Sequence, residues 1–270
     1  MEMEATTIEL LARVRQQAPL VHNITNFVVM NSSANILLAV GASPIMAHCQ
    51  AEVEEMTAFS GALVLNIGTI QEDWLDSMIL AAKKANAVGI PVIVDPVGAG
   101  ATKLRTGAVK KIMENAAISV LRGNCSEVLS LGSADIKTKG ADSSLSLSGE
   151  TVDAARQMAI DHNCVIAISG EEDCITDGRQ VFRVGNGQPV MTKVTGTGCG
   201  LSAVTAAFCA VADDGNLAAA TAAAFGYYGV CGDLAAKVSD KPASFQIAFI
   251  DQLYAAGEEE LRELLQITEA

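Results

Sequence analysis

The segment Val194-Thr-Gly-Thr-Gly-Cys-Gly200 places three glycines and a cysteine directly before an alanine-rich run. Glycine allows positive φ and close approach to a ligand, and the run behind it favours a helix. A helix N-terminus presents unpaired N–H groups and partial positive charge, which together bind anions. Cys199 falls on the first turn, where a thiolate is stabilised. This pattern indicates phosphoryl transfer, with Gly198, Cys199 and Gly200 as candidate catalytic residues whose N–H groups stabilise the transferred group.

The same glycines could simply turn the chain into a buried helix, because glycine pairs are weak signals. No Lys-Ser or Lys-Thr follows them, so the segment is not a P-loop. It also lies late in the chain, whereas a Rossmann loop belongs to the first βα turn of its domain. The spacing alone leaves both interpretations open.

Asp95 ends an apolar run that is predicted to be a buried strand, and Gly98 and Gly100 follow it. In parallel sheets, ligands collect beyond the carboxyl ends of the strands. A carboxylate at that position suits Mg²⁺ held through water. An Asx turn or a helix cap would use the same residue, but the neighbouring glycines favour the metal.

Arg122, Glu127 and Ser169 lie at or after the ends of later predicted strands. Asn124 and Glu127 have the spacing of a capping box, and Glu127 could equally lie beside the water shell of Mg²⁺. The fork of donors on Arg122 suits a phosphate, although a salt bridge to Glu127 or a neighbouring carboxylate is the alternative.

Met46 ends another short predicted strand, where it could pack in the core or against a heteroaromatic ring. His22 and His48 have no third ligand at a spacing that would make a metal site. We therefore expect these histidines to be hydrogen-bonded or solvated.

Apolar strands that alternate with helices predict an α/β fold with a mostly parallel central sheet. Predicted strands cover residues 19–22, 43–46, 63–66, 91–95, 117–121 and 164–169, with a hairpin at 174–176 and 180–183. Predicted helices cover 7–17, 27–40, 74–87, 104–115 and 151–162, with one that begins near 126 and three runs after 200. Residues 133–149 are predicted to be a surface segment, and 213–215 a helix-ending turn. No linker divides the chain, which predicts a single domain over 1–270.

The 270 residues carry a formal charge of −13, which argues against nucleic acid or an anionic membrane as a partner. An acidic protein that binds a polyphosphate must neutralise it with Mg²⁺, helix termini and a few basic side chains. The seven scattered cysteines predict free thiols and a cytoplasmic protein. No apolar run approaches the ~20 residues of a membrane span.

Together these motifs resemble the hydroxyethylthiazole kinase family of thiamine salvage, within the ribokinase-like superfamily. The similar segments are 21–27, 42–46, 94–100, 122–127 and 196–199. The resemblance implies a ribokinase-like fold with helices on both faces of the sheet. It also implies that MgATP phosphorylates the hydroxyethyl group of 4-methyl-5-(2-hydroxyethyl)thiazole.

The resemblance further implies roles for individual residues, which match the family's motifs as follows: Met46 and the backbone of Gly196 at the thiazole, Arg122 and Ser169 at ATP, and Asp95 and Glu127 near metal and phosphate. The family is typically a homotrimer with its thiazole pocket at subunit interfaces, which would place Asn23 and Met46 near a neighbouring chain. Most ribokinase-like kinases have an aspartate base where this chain has Cys199, so we expect Cys199 to be helpful but not indispensable.

Two other functions fit the same residues. One is a related kinase that acts on hydroxymethylpyrimidine or pyridoxal, or an ATP-dependent hydrate repair enzyme. The other is a non-catalytic sensor of nucleotide or thiazole, against which Asp95, Glu127 and Cys199 argue, because binding alone would not require metal-linked groups and a thiol.

Overall fold

The structure is a computed structural model that describes residues 2–132, 148–213 and 216–269. Its strands are β1 (Leu20–Ile24), β2 (Ser43–Ile45), β3 (Ala62–Asn66), β4 (Val92–Asp95), β5 (Val120–Asn124), β6 (Val165–Ser169), β7 (Asp173–Thr176), β8 (Val181–Val184) and β9 (Ile267–Glu269). Its helices are α1 (Glu2–Gln17), α2 (Met30–Val40), α3 (Val53–Ala58), α4 (Glu72–Val88), α5 (Lys103–Asn115), α6 (Cys125–Leu129), α7 (Gly149–His162), α8 (Thr197–Ala210), α9 (Leu217–Val238), α10 (Pro242–Ala255) and α11 (Glu258–Leu264). A 3₁₀ turn covers Pro189–Lys193.

The strands form one continuous sheet in the order β2-β1-β3-β4-β5-β6-β7-β8-β9. Neighbouring strands from β2 to β6 are parallel, and the pairs from β6 to β9 are antiparallel. The predicted α/β class with a mostly parallel sheet is confirmed. The hairpin predicted around Asp177-Gly178 is confirmed too, as β7 and β8.

Two hydrophobic clusters lie on opposite faces of this sheet, because alternate residues of a strand point to opposite sides. One cluster joins Val64 and Ile93 of the sheet to α1, α2, α8, α9 and α10. The other joins Leu65 and Val94 to α4, α5, α6 and α7. The sheet is therefore covered on both faces, as parallel sheets require, and its carboxyl edge stays available for a site.

Two predicted boundaries near that edge are wrong. The helix predicted from residue 27 begins at Met30 instead, because Asn26 forms a turn in which its side-chain oxygen accepts the N–H of Val28 and its carbonyl accepts that of Val29. The strand predicted at 117–121 is β5, which runs further towards the site. Ala117 lies outside it, since the Asn86 side chain binds both its N–H and its carbonyl.

The part after Gly200 also differs from the prediction of three helical runs. Its described residues hold the rest of α8, three further helices and β9. β9 pairs with β8, which is distant in sequence, so local pattern could not reveal it. Of the predicted surface segment at 133–149, residues 133–147 lie outside the described residues, as do 214 and 215 of the predicted turn. Among the described helices, none combines the length and the apolar character that a membrane crossing needs.

Candidate active site

The N-terminus of α8 lies at the carboxyl edge of the sheet and begins from Gly196, whose φ is 86°. A Cβ at this position would lie 3.0 Å from Ser32 Oγ and 3.1 Å from Val29 Cγ1. Both the left-handed backbone and this contact with α2 therefore require glycine. Because α8 begins at Thr197, the N–H groups of Thr197, Gly198 and Cys199 have no acceptor within the helix.

Gly200 does not belong to this set of donors. Its N–H donates to Gly196 O at 2.8 Å and closes the first turn of α8. A Cβ on Gly200 would lie 2.5 Å from Ile36 Cδ1 and 2.7 Å from Tyr228 Oη. The expectation that the Gly200 N–H binds the transferred group is therefore wrong. Gly200 allows close packing, and the free donors begin one residue earlier than expected.

Cys199 lies partly buried on this first turn, with Asn26 Nδ2 at 3.6 Å from its Sγ. Burial, followed by the negative charge of Asp95, raises the pKa of the Cys199 thiol to about 11. The lowered thiol pKa that is expected at a helix N-terminus is therefore wrong for Cys199, because burial and the charge of Asp95 raise it. The group at this position is a neutral thiol at pH 7.

A chain of side-chain amides connects Cys199 to Asp95. Asn26 Nδ2 also donates to Asn66 Oδ1 at 2.8 Å, and Asn66 Nδ2 donates to Asp95 Oδ2 at 2.8 Å. Ser202, one turn further along α8, donates to the same Asp95 oxygen at 2.7 Å. Asp95 is almost fully buried, so these donors fix its carboxylate relative to α8.

Asp95 is neither an Asx turn nor a helix cap: Thr102 caps α5, and Asp95 Oδ2 accepts side-chain donors instead. Burial raises the pKa of Asp95 to about 6 against the opposing effect of Arg122, and the charge of Glu127 raises it further. A carboxylate that is both desolvated and near a second carboxylate favours a cation beside it.

Glu127 forms the capping box that its spacing allowed: its Oε2 accepts from Asn124 N, and Asn124 Oδ1 accepts from Glu127 N. Its Oε1 accepts from Gly98 N at 2.8 Å, which joins the loop after β4 to α6. Within the described ranges, no three His, Cys, Asp or Glu side chains gather into a metal cage. Carboxylates near bound phosphates still suit Mg²⁺, which usually keeps several waters and uses only one or two protein ligands.

Arg122 is buried between these groups, and its contacts are with Gly198 O at 3.0 Å and Ser169 Oγ at 2.7 Å. The carboxylate that it approaches is that of Asp95, at 3.9 Å, rather than Glu127. Its Nε is buried without a hydrogen-bond partner. A buried guanidinium with an unused donor is suited to a phosphate.

Asn23 and Met46 lie at the same edge of the sheet, on β1 and directly after β2, which are the two strands beyond β3. His22 pairs with Ile45 in the parallel register, so Asn23, the last but one residue of β1, lies beside Met46, the first residue after β2. Asn23 is buried, and its Oδ1 has no partner. Met46 is partly buried. The structure thus brings Cys199, Asp95, Arg122, Ser169 and Glu127 into one cluster, and places Asn23 and Met46 beyond it along the sheet.

The sequence did not single out Asn26, Ser202 or the amide role of Asn66. Ser202 lies in an apolar helical run, so nothing in its spacing shows that it faces Asp95. The sequence did hold a signal for Asn26, because an asparagine side chain often binds the backbone two residues further on and forms a turn there.

Most of the chain is similar to known proteins of one family. Residues 11–259 match the family described as "Hydroxyethylthiazole kinase family". A protein named hydroxyethylthiazole kinase from Desulfotalea psychrophila is 51% identical over 98% of this chain and 96% of its own length. One of the same name from Chloroflexus aurantiacus is 43% identical over 99% and 98%.

Solved structures give the same result. The hydroxyethylthiazole kinase protein from Pyrococcus horikoshii superposes with a TM-score of 0.88 at 40% identity, over 98% of both chains. Pyridoxal kinase from Staphylococcus aureus, solved with AMP-PCP and pyridoxal, gives a TM-score of 0.63 at 15% identity over 93% of this chain and 98% of its own. At that identity the second likeness concerns the fold alone, which is ribokinase-like.

Proposed function

The chain belongs to the hydroxyethylthiazole kinase family, and we propose from this how its residues transfer the γ-phosphoryl group of ATP to 4-methyl-5-(2-hydroxyethyl)thiazole. A P–O bond forms to the hydroxyl oxygen, the bond to ADP breaks, and the hydroxyl proton is released. The observation that carries the proposal is the meeting of Cys199, Asp95 and Arg122 at the N-terminus of α8. The chain acts as one ribokinase-like domain over 1–270, in thiamine salvage.

The transferred phosphoryl is stabilised mainly by fixed charge and dipoles. The N–H groups of Thr197, Gly198 and Cys199 point out of the first turn of α8, and the Arg122 guanidinium lies against Gly198. Phosphoryl transfer passes through a loose transition state, so positioning and charge stabilisation supply most of the catalysis. Arg122 and Ser169 bind ATP, and the free Nε of Arg122 supports this role.

Cys199 positions the hydroxyl that is phosphorylated. As a neutral thiol it holds the hydroxyl oxygen by a hydrogen bond, and only its small thiolate fraction can accept the proton. An acceptor that is mostly protonated suits a reaction in which the hydroxyl proton leaves late. The contact of Asn26 with Sγ fixes where the thiol lies.

Asp95 and Glu127 are the residues that would hold Mg²⁺ through its bound water. Burial, together with the smaller effect of the Glu127 charge, raises the pKa of Asp95, and this cost of ionisation supports a cation near the two carboxylates. The metal would supply neutralisation of the ATP phosphates. Asn66 and Ser202 keep the Asp95 carboxylate in place for this role.

Met46, Asn23 and the backbone of Gly196 bind the thiazole ring and its side chain. We further propose that three copies assemble so that this pocket lies between subunits. Phe27 and Val28, which are 56% and 63% exposed close to the end of β1, support an apolar contact there. The trimer can be tested by light scattering after size exclusion. The free thiols of this chain fit a cytoplasmic enzyme.

The experiment that tests the function is release of ADP, measured with the thiazole alcohol, a pyrimidine alcohol and pyridoxal in parallel. We expect turnover with the thiazole alcohol, loss of that turnover when Mg²⁺ is chelated, and little ADP from the other two. A protein that binds thiazole but releases no ADP would be a sensor instead. Preference for pyridoxal or the pyrimidine would indicate the related kinases.

A further inference from the structure

His22 is fully buried in β1, and both nitrogens of its ring have a polar neighbour. Nε2 lies 2.7 Å from Ala47 O, and Nδ1 lies 3.0 Å from Thr57 Oγ1. Thr57, on α3, is fully buried as well. A buried imidazole held at both nitrogens has one orientation, and that orientation directs Nε2 at the chain after β2.

These contacts also assign the ring proton. A carbonyl oxygen can only accept a hydrogen bond, so Nε2 carries the hydrogen. Burial lowers the pKa of His22, which leaves the ring neutral and Nδ1 bare at pH 7. The one hydrogen of the Thr57 hydroxyl lies between two acceptors, Nδ1 at 3.0 Å and Val53 O at 2.7 Å, and the shorter contact is the one to Val53 O. The ring is thus a fixed donor to Ala47.

Ala47 belongs to a segment, residues 46–49, that is neither helix nor strand. Strand pairing stops at Ile45, which lies opposite His22, so Met46 is the first residue beyond the ladder. The His22 bond therefore holds the chain one residue after Met46. On the next residue, the His48 ring lies 4.6 Å from that of Trp74, which supports the other side of the segment.

We infer that His22 is a positioning residue that sets Met46 for the thiazole ring through the bond from Nε2 to Ala47 O. The inference rests on the proposed function, because Met46 is the proposed ring contact. His22 contacts none of Cys199, Asp95 and Arg122 in the described part of the chain. Its loss therefore weakens thiazole binding and leaves nucleotide binding unchanged.

Two substitutions separate the two ring nitrogens. The side-chain amide nitrogen of glutamine is separated from Cα by the same number of bonds as Nε2 of histidine. The amide nitrogen of asparagine is separated from Cα by the same number of bonds as Nδ1 of histidine. His22→Gln can still donate to Ala47 O, whereas His22→Asn reaches only Thr57. We expect His22→Asn to raise KM for the thiazole alcohol about tenfold, as a lost buried hydrogen bond does. His22→Gln should restore most of that loss, and KM for ATP should stay within about twofold in both.

Thr57→Val is the matched control for stability. It keeps the shape of the side chain and the bond to Ala47 but removes the partner of Nδ1. We expect its melting temperature to fall by a few degrees, with KM for the thiazole alcohol near the wild-type value. The inference is overturned if His22→Asn keeps its KM for the thiazole alcohol, if glutamine and asparagine are equally impaired, or if KM for ATP rises in parallel.

A wild-type protein that makes no ADP from the thiazole alcohol would overturn the proposed function instead. Thiazole binding followed by the fluorescence of Trp74, the single tryptophan, would then still decide the role of His22. If His22→Asn does not fold, ¹⁵N NMR of the three histidines in the wild-type protein replaces it. A neutral ring protonated at Nε2, with resonances that move when thiazole binds, supports the inference, and the opposite tautomer or an unresponsive ring refutes it.

Discussion

At the scale of single residues, Cys199 and Asp95 show what burial does to two neighbouring acids. Burial is the largest cause in each case, and it raises the pKa of the thiol to about 11 and that of the carboxyl to about 6. The charge of Asp95 also raises the pKa of the Cys199 thiol, and the charge of Glu127 raises that of Asp95, because like charges cannot both ionise cheaply at close range. A place on the first turn of a helix therefore does not by itself make Cys199 a reactive thiolate.

This environment predicts how the reaction depends on residue 199. Cys199→Ala should lose about 10²- to 10⁴-fold in kcat, the usual range for a general base, whereas Cys199→Asp should keep activity. In the wild type, kcat should rise as the pH increases from 7 to 10, since the thiolate fraction grows towards the pKa of about 11. Steady-state kinetics with the thiazole alcohol across this range measures both effects.

The matched variant is Cys199→Ser, which keeps a hydrogen-bonding group but has no accessible anion. It should retain more activity than alanine and show no alkaline rise. An aspartate variant as inactive as the alanine variant, together with a flat wild-type profile, would contradict any role of Cys199 as proton acceptor.

At the scale of elements, α8 is held so tightly against α2 and α9 that packing requires glycine at position 200. Gly200 has Ile36 of α2 and Tyr228 of α9 within 3 Å of where a Cβ would be. Tyr228 also donates to Thr197 O at 2.9 Å, which fixes the first turn of the helix. The free N–H groups are therefore carried by a helix turn that these contacts hold in place.

Replacing Gly200 by alanine should destabilise the protein by about 1–3 kcal/mol, as overpacking of a core does. The control is Gly107→Ala in the exposed middle of α5, where no atom lies within 4 Å of the new Cβ. That change should stabilise by about 0.5–1 kcal/mol through helix propensity. Urea unfolding of both variants measures the difference, and equal effects would contradict the packing described for α8.

The elements and the residues of the site were not equally predictable. Asp95 and Ser169 could be placed from the sequence because a polar residue that ends an apolar run must lie at a strand end. The position of Ser202 could not be predicted, since the local sequence pattern of a serine among alanines is the same whether it faces water or a carboxylate. The start of α2 and the pairing of β9 depended on a side-chain turn and on a distant strand, which periodicity does not encode.

At the scale of the whole molecule, the net charge of −13 coexists with carboxyl groups whose pKa burial raises. Asp173, at the start of β7, has its pKa raised to about 7 by burial, against the opposing influence of its bond from Gly170 N–H and the charge of Arg122. The folded state therefore binds more protons than the unfolded state between about pH 4 and pH 7. The contribution of this group to stability consequently falls as the pH rises through that window.

We therefore expect Asp173→Asn to be more stable than the wild type at pH 8, by an amount on the order of 2 kcal/mol. Asparagine keeps an oxygen for the Gly170 N–H, which Asp173 Oδ1 accepts at 2.9 Å. The difference should disappear below pH 4, where aspartate is protonated in both states. Chemical unfolding at pH 4 and pH 8 checks this, with Asp153→Asn on the exposed side of α7 as control. A difference that does not change with pH would contradict it.

The antiparallel pairing of β8 with β9 has a consequence for biosynthesis. Four helices separate the two strands along the chain, so translation must proceed through all of them before β9 leaves the ribosome. During that interval the N–H and C=O groups on the outer edge of β8 are unpaired. Such an edge strand readily pairs with another nascent chain. The outer edge of β8 is thus open to misassembly until β9 has been synthesised.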